Sequence, residues 1–305
     1  MFIKNKLLPF VFLTISSSLY SCWSLATEVV NVPDDKFRAC LNDHLGKLPA
    51  MPLTDTELAG LTGQISCAEM GIADITGAEN LINVTYLNVE YNQLTSLQPL
   101  VNMTQLTRLA AGGNHITTGS PLKNLTHLND LDLNNNSLTY GDFISEMTSL
   151  ESLNLSSNNI RTCPGIENLV ILKNLYLQGS RMTDISNFSG LTQLEQLELS
   201  DNGISDLSAL SGMKSLTFLD VNSQDVQIDP VPNTGSLTLN DPVINVDGSP
   251  IPVTSVSNGG IYNNGQIIWS AIPENTEEVT FEFNQSISID GLEVPFSGQV
   301  TQYLE

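Results

Sequence analysis

Positive charge is scarce in this chain. Its 305 residues carry 11 Lys and Arg against 33 Asp and Glu, a formal net charge of −22. Such a surface repels phosphate backbones and anionic headgroups, which excludes the electrostatic mode of nucleic-acid or membrane-surface binding. It fits a partner with a basic or polar surface, or serves solubility alone. Histidine and cysteine are also sparse, at 3 and 4 residues, and show no zinc-ligand spacing. His44, His115 and His127 lie away from any Ser or Cys that a nucleophile pattern would need, and no phosphate loop or dinucleotide fingerprint occurs. No apolar run approaches the roughly 20 residues of a membrane span. Neither a cofactor nor a metal is expected, and no clustered loop supports calcium.

What is present begins with an expected signal peptide over residues 1–26. Lys4 and Lys6 form a basic start, Leu7 to Ile15 an apolar core, and Ser24-Leu25-Ala26 places small residues at a cleavage site. A second reading treats Leu19-Tyr20-Ser21-Cys22 as a loose lipobox that would lipidate Cys22. Cleavage would leave 279 residues (305 less 26) and, with only Lys4 and Lys6 lost, a charge of −24. Cys40, Cys67 and Cys163 would remain, an odd count that in an oxidising compartment implies one disulfide and one buried thiol.

The dominant signal is a repeat. Segments of 22 residues begin at Leu81, Met103, Leu125, Met147, Leu169 and Leu191 and run without insertion to Gly212. Apolar residues recur at positions 1, 4, 7, 9, 14 and 20, as in Met147, Leu150, Leu153, Leu155, Ile160 and Ile166. Position 12 is Asn92, Asn114, Asn136, Asn158 and Asn202, interrupted by Ser180. A degenerate coil precedes (Ile65, Cys67, Ile72, Ile75) and a partial one follows (Leu216, Leu219, Val221). Positions 7 and 9 point inward from a short strand, and stacking parallel strands about 4.8 Å apart makes a rod roughly 35 Å long. The Asn side chain can bond backbone groups that the turn leaves unpaired. No coil can bury its apolar face alone, so the array is cooperative. A helical repeat would not keep N-x-L in a strict period of this length.

Repeats such as LTQLEQLELSDNGISDLSALSG resemble the leucine-rich repeats of the bacterial internalin family. SVSNGGIYNNGQIIW, EEVTFEFNQSISI and FSGQVTQ are similar to the end of the small secreted internalins. The resemblance implies a helical cap before the repeats, an immunoglobulin-like domain after them, and a non-catalytic role in recognition, virulence or adhesion. No LPxTG-type sorting motif is seen.

The ends of the array fit that plan. In VPDDKFRACLNDHLG, Pro33 and Asp34 open a helix, and Phe37, Cys40, Leu41 and Leu45 form its apolar stripe. Cys67, at position 9 of the degenerate coil, points into the core beneath this helix. A Cys40–Cys67 bridge would staple the two, the alternative being two separate buried thiols. Cys163, at a position where other coils carry Leu97, Ile185 and Leu207, reads as a core thiol. From Asp229 to Glu305 there are no Lys or Arg and 10 carboxylate residues. Val279, Phe281 and Phe283 alternate with Glu278, Thr280 and Glu282, and Asp247-Gly248, Asn258-Gly259-Gly260 and Asn264-Gly265 mark turns. This reads as a small β-sandwich around Trp269, whose first strand continues from the last coil.

The expected architecture is a leucine-rich-repeat solenoid with a parallel sheet on its concave face and 3-10 or irregular structure on its convex side. Its expected divisions are a signal peptide (1–26), helical cap (27–58), repeats (59–228) and Ig-like β-sandwich (229–305). Strand positions 6, 8 and 10, with 11 just after, line the concave face and are free of packing demands. The candidate partner-binding residues there are Tyr86, Glu90, Tyr91, Arg108, Asp130, Asp132, Tyr176, Glu198, Phe218 and Asp220. Aromatic anchors amid carboxylates suit a protein partner. Asp130 and Asp132, about 7 Å apart on one strand face, have a spacing seen in carboxylate catalysis. An open sheet, however, offers no dry pocket to raise one of their pKa values. Following the resemblance, the expected protein is an exported, monomeric recognition module for a host protein. The alternative is a periplasmic or envelope scaffold, lipid-anchored through Cys22, that holds a bacterial partner.

Overall fold

The computed structural model describes residues 27–305. The expected leader and Cys22 lie outside the described residues. The chain opens with Val29–Val30 (β1), helix Asp35–His44 (α1), Leu53–Thr54 (β2) and helix Asp55–Gly60 (α2). Asp34 starts α1 by accepting the Lys36 and Phe37 N–H groups, and its other oxygen accepts from Ala73 and Asp74 in the first coil. One carboxylate thus ends a helix and ties it to the repeats, and these bonds hold its pKa below the usual range although burial opposes them. Phe37, Cys40 and Leu41 turn into the core. A disulfide joins Cys40 to Cys67 with a Cα–Cα distance of 5.8 Å. The second helix, unnoticed in the sequence, begins with the reciprocal capping bonds of Thr54 and Glu57.

Eight parallel strands then build the solenoid: Gly63–Ser66 (β3), Val84–Asn88 (β4), Arg108–Ala110 (β5), Asp130–Asp132 (β6), Ser152–Asn154 (β7), Asn174–Tyr176 (β8), Gln196–Glu198 (β9) and Phe218–Val231 (β10). From β4 to the start of β10 the register advances by one repeat at each step. Tyr86 faces Arg108, which faces Asp130, then Ser152, Asn174, Gln196 and Phe218. The return path on the convex side consists of short 3-10 turns, such as Gln98–Leu100 and Ser208–Leu210. Apolar positions 1, 4, 7, 9, 14 and 20 of the Met147 segment are all buried.

The position-12 Asn residues form a ladder through this core. Asn136 donates from Nδ2 to Ala111 O at 3.0 Å, Leu133 O at 3.0 Å and Asn134 O at 3.1 Å, while its Oδ1 accepts the Ile116 N–H at 2.9 Å. Asn92, Asn114, Asn158 and Asn202 repeat the pattern. Gln224 extends it one coil further, with Nε2 donating to Leu199, Val221 and Asn222 carbonyls. Position 11 of each coil takes the left-handed conformation, occupied by Gly113, Asn135, Ser157, Gly179, Asp201 and Ser223, and by Tyr91.

Strand β10, of 14 residues, leaves the solenoid without a break. Its first three residues pair with β9, and its remainder runs parallel to Leu292–Leu304 (β16 in chain order). Between these lie Leu237–Asn240 (β11), Val253–Val256 (β12), Ile261–Asn263 (β13), Gln266–Trp269 (β14) and Glu278–Ile289 (β15). Strands β12, β15 and β16 continue the repeat sheet to 11 strands, and β11, β14 and β13 make a second, three-stranded sheet. Ile267, Trp269, Phe281, Phe283 and Phe296 are buried in this region. Trp269 Nε1 donates to Ser257 O at 2.9 Å, as a buried indole requires. The expected division between 228 and 229 falls inside β10.

Candidate binding face

The inner rows of the sheet carry the side chains that packing leaves free. In the N-terminal half, Arg108 is held from both sides. Its guanidinium lies 4.7 Å from the Tyr86 ring centroid, and Nε and Nη2 donate to Asp130 Oδ2 at 3.0 and 2.9 Å. Three successive coils thus fix one cation over an aromatic face. Together with Glu90 and Asp132 these residues line an open concavity of about 220 Å³. Asp132 is fixed in turn by Asn134, whose N and Nδ2 donate to Oδ1 at 2.9 and 2.6 Å.

The field here is negative despite Arg108. Partial burial pushes the Glu90 carboxyl above its ordinary range, helped by the charges of Asp132 and Glu69, while an Asn88 hydrogen bond opposes the shift. Tyr91 stands beside this cluster. It is 58% exposed and has φ of 52°, a conformation costly for a bulky side chain. Its ring lies over Gly113: a Cβ there would stand 2.6 Å from Tyr91 Cδ1.

A second group occupies the C-terminal half. Tyr176 donates from its hydroxyl to Gln196 Oε1 at 2.5 Å, and partial burial followed by the Glu198 and Asp130 charges raises its pKa. Glu198 is raised by partial burial and then by Asp220. Phe218 is 44% exposed at the end of the same row. Asp220 is braced by the Asn222 N–H and side-chain amide. The ten expected residues therefore fall into two groups on one face, separated by the small polar side chains of Ser152, Asn154 and Asn174.

The fold has counterparts among known proteins. The family described as Leucine Rich repeats (2 copies) matches residues 172–212 and 192–233, and Leucine Rich Repeat matches 149–169. The family described as LRR adjacent matches 248–305. Internalin I of Listeria monocytogenes serotype 4b (strain F2365) is 36% identical over 67 residues, 22% of this chain and 4% of that protein. Internalin C of Listeria monocytogenes serotype 1/2a (strain EGD / Mackaness) is 35% identical over 74 residues, 24% of this chain and 25% of that protein. The crystal structure of an internalin, InlF, from Listeria monocytogenes str. 4b F2365 superposes with a TM-score of 0.59 at 30% identity, covering 67% of this chain and 58% of that one. The chain is an internalin-like leucine-rich-repeat protein. It spans a quarter or less of the two curated relatives.

In this internalin-like array, one member of the face and one rung of the ladder are not marked by the regular repeat. Glu69, which raises Glu90, occupies position 11 of the degenerate coil and has the same left-handed backbone, with φ of 59°. Carrying the period one coil further back would have found it. Gln224 lies beyond Val221, where the recognisable partial coil ends, and Gln replaces the Asn that marks the other rungs. Among the described residues, no group of His, Cys, Asp and Glu has the arrangement of a metal site.

Proposed function

We propose that the concave face binds a protein partner through the Tyr86–Arg108–Asp130 cluster and the neighbouring Tyr91. The observation that carries this reading is Tyr91: position 11 demands a left-handed backbone, the other coils from Gly113 to Ser223 meet that demand with small or short polar residues, and here a large exposed aromatic bears the strain. An exposed ring beside a fixed arginine is the composition of an interface anchor. Tyr176, Glu198, Phe218 and Asp220 form the second half of the contact, and the carboxylates steer a basic or polar partner.

Internalin-like leucine-rich-repeat proteins mediate protein–protein interaction and are associated with virulence. We infer a host protein as the partner, and recognition in place of catalysis. Among the described residues no helix is long and apolar enough to cross a membrane, and the homologues are secreted or surface-associated; we infer export after cleavage near residue 26, and a monomer. We read residues 27–58 as the cap of the array, 59–228 as the repeats and 229–305 as an immunoglobulin-like support.

The test is affinity capture from host lysate and from bacterial envelope, comparing the wild-type chain with Tyr86→Ala/Tyr91→Ala/Arg108→Ala. A partner that wild type retains and the variant loses supports the face, and its source separates a host target from an envelope scaffold. A partner held equally by both proteins refutes it.

A further inference from the structure

The coil beginning at Leu169 departs from the regular pattern, and a groove opens beside it. In the regular coils position 13 donates to position 14 of the coil before, as in His115 to Leu94 O, Ser137 to Ile116 O and Asn159 to Leu138 O, each 2.8 to 2.9 Å. At Arg181 this bond shifts along the chain: Thr183 N–H donates to Arg161 O at 3.3 Å, and Arg181 itself has φ of 61°. The same coil carries Ser180 in place of the ladder Asn, and its hydroxyl keeps the bond to Leu155 O. Beside this backbone lies a groove of about 560 Å³, lined by residues that follow the strands of successive coils.

Charge in this groove is divided. Arg161 and Arg181 stand exposed among its lining residues, with Asp201 and Asp225 from the next two coils and Gly203 between them. Among the described residues neither guanidinium pairs with a carboxylate, although Arg38 and Arg108 both do. The two carboxylates accept instead from Gln178 and Gln227, at 3.2 and 3.3 Å. Two arginines left unpaired in so acidic a chain, opposite carboxylates they do not reach, describe a slot for a ligand that brings both signs of charge.

We propose that this groove binds an extended polypeptide segment carrying an acidic and a basic side chain a few residues apart. The acidic side chain docks between Arg161 and Arg181, whose planar forks suit a carboxylate, and the basic one docks on Asp201 and Asp225. A simple polyanion meets both carboxylates and the field of the whole chain, whereas a segment of mixed charge does not. The groove lies coils away from Tyr86, so it would act independently of the concave cluster.

The experiment is selection of linear peptides displayed on phage against the purified chain, followed by titration of the best synthetic peptide. Peptides pairing Asp or Glu with Lys or Arg are expected, with affinity falling at least tenfold in Arg161→Ala/Arg181→Ala and in Asp201→Asn/Asp225→Asn. Affinity is expected to be unchanged in Tyr86→Ala, which separates this groove from the concave site. Unfolding midpoints close to wild type, with the disulfide intact, certify that each variant is folded. Peptides without paired charges, or peptides that bind the arginine variant as tightly as wild type, would overturn the proposal. So would competition by inorganic phosphate that grows stronger in the aspartate variant without loss of the peptide, since that describes a plain anion site.

Discussion

At the scale of single residues, the array is decided by polar side chains as much as by leucine. Each ladder Asn satisfies several backbone groups that the turn would otherwise bury unpaired, and an unmade buried hydrogen bond costs about 1–3 kcal/mol. Asn136→Ala should therefore destabilise the protein by about 2–4 kcal/mol, read as a lowered urea midpoint. A change of under 0.5 kcal/mol would show that water replaces the rung without loss. Tyr91 makes the opposite case. Glycine suits its left-handed backbone better, so Tyr91→Gly should leave stability equal or raise it by about 0.5–1 kcal/mol while weakening capture of the partner. Loss of stability with binding intact would mean the ring serves packing over Gly113 and not recognition. Glu90 has a raised folded pKa, so its contribution is present below the usual carboxylate range and lost as pH rises through the raised value. Glu90→Gln should stabilise at pH 7 by less than about 1 kcal/mol and have little effect near pH 3; equal effects at both pH values would remove the electrostatic account.

At the scale of elements, the disulfide carries the N-terminal helices. It closes a loop with a sequence separation of 27, which in the chain-entropy account is worth about 3–4 kcal/mol. Cys40→Ala/Cys67→Ala should lower the unfolding midpoint accordingly and speed amide exchange in α1 before the central coils. Uniform exchange along the chain would argue that the staple stabilises no particular element. Cys163 differs: it is buried, and burial, with Glu167 and Asp142 nearby, pushes its thiol up to about 12. It should resist alkylation at pH 8 in the native protein and react only on unfolding, which intact mass measurement would record. Its neutral form is favoured by folding, so stability should fall as pH rises above the ordinary thiol range, and Cys163→Ala should blunt that fall.

At the scale of the molecule, β10 pairs with both β9 and β16, so repeats and C-terminal sheets are expected to unfold as one cooperative body. In protein starting at Thr27, Trp269 is the sole tryptophan and reports the C-terminal region, whereas far-UV circular dichroism follows the whole sheet. The two signals should give coincident urea transitions. A Trp269 transition preceding the other would mean that β10 does not couple the units. The same scale explains what was readable in advance. Leu153 and Leu155 face inward, Tyr86 faces Arg108, and Asn136 lies against the neighbouring coil because a fixed period converts sequence spacing into spatial register. Where the period ends, so does its guidance: α2 precedes the coils, and Glu69 and Gln224 lie in the atypical coils at either end.

The sequence by itself determined the winding of the chain, the inward apolar set, the ladder and the free positions of the inner face, since each follows from a repeat and its local chemistry. Only the tertiary structure decided which free side chains meet. The clasp of Arg108 between Tyr86 and Asp130, the seating of Tyr91 on Gly113 and the displaced backbone at Arg181 depend on contacts between coils. A periodic pattern predicts neighbours, but not the orientation that long side chains adopt among them.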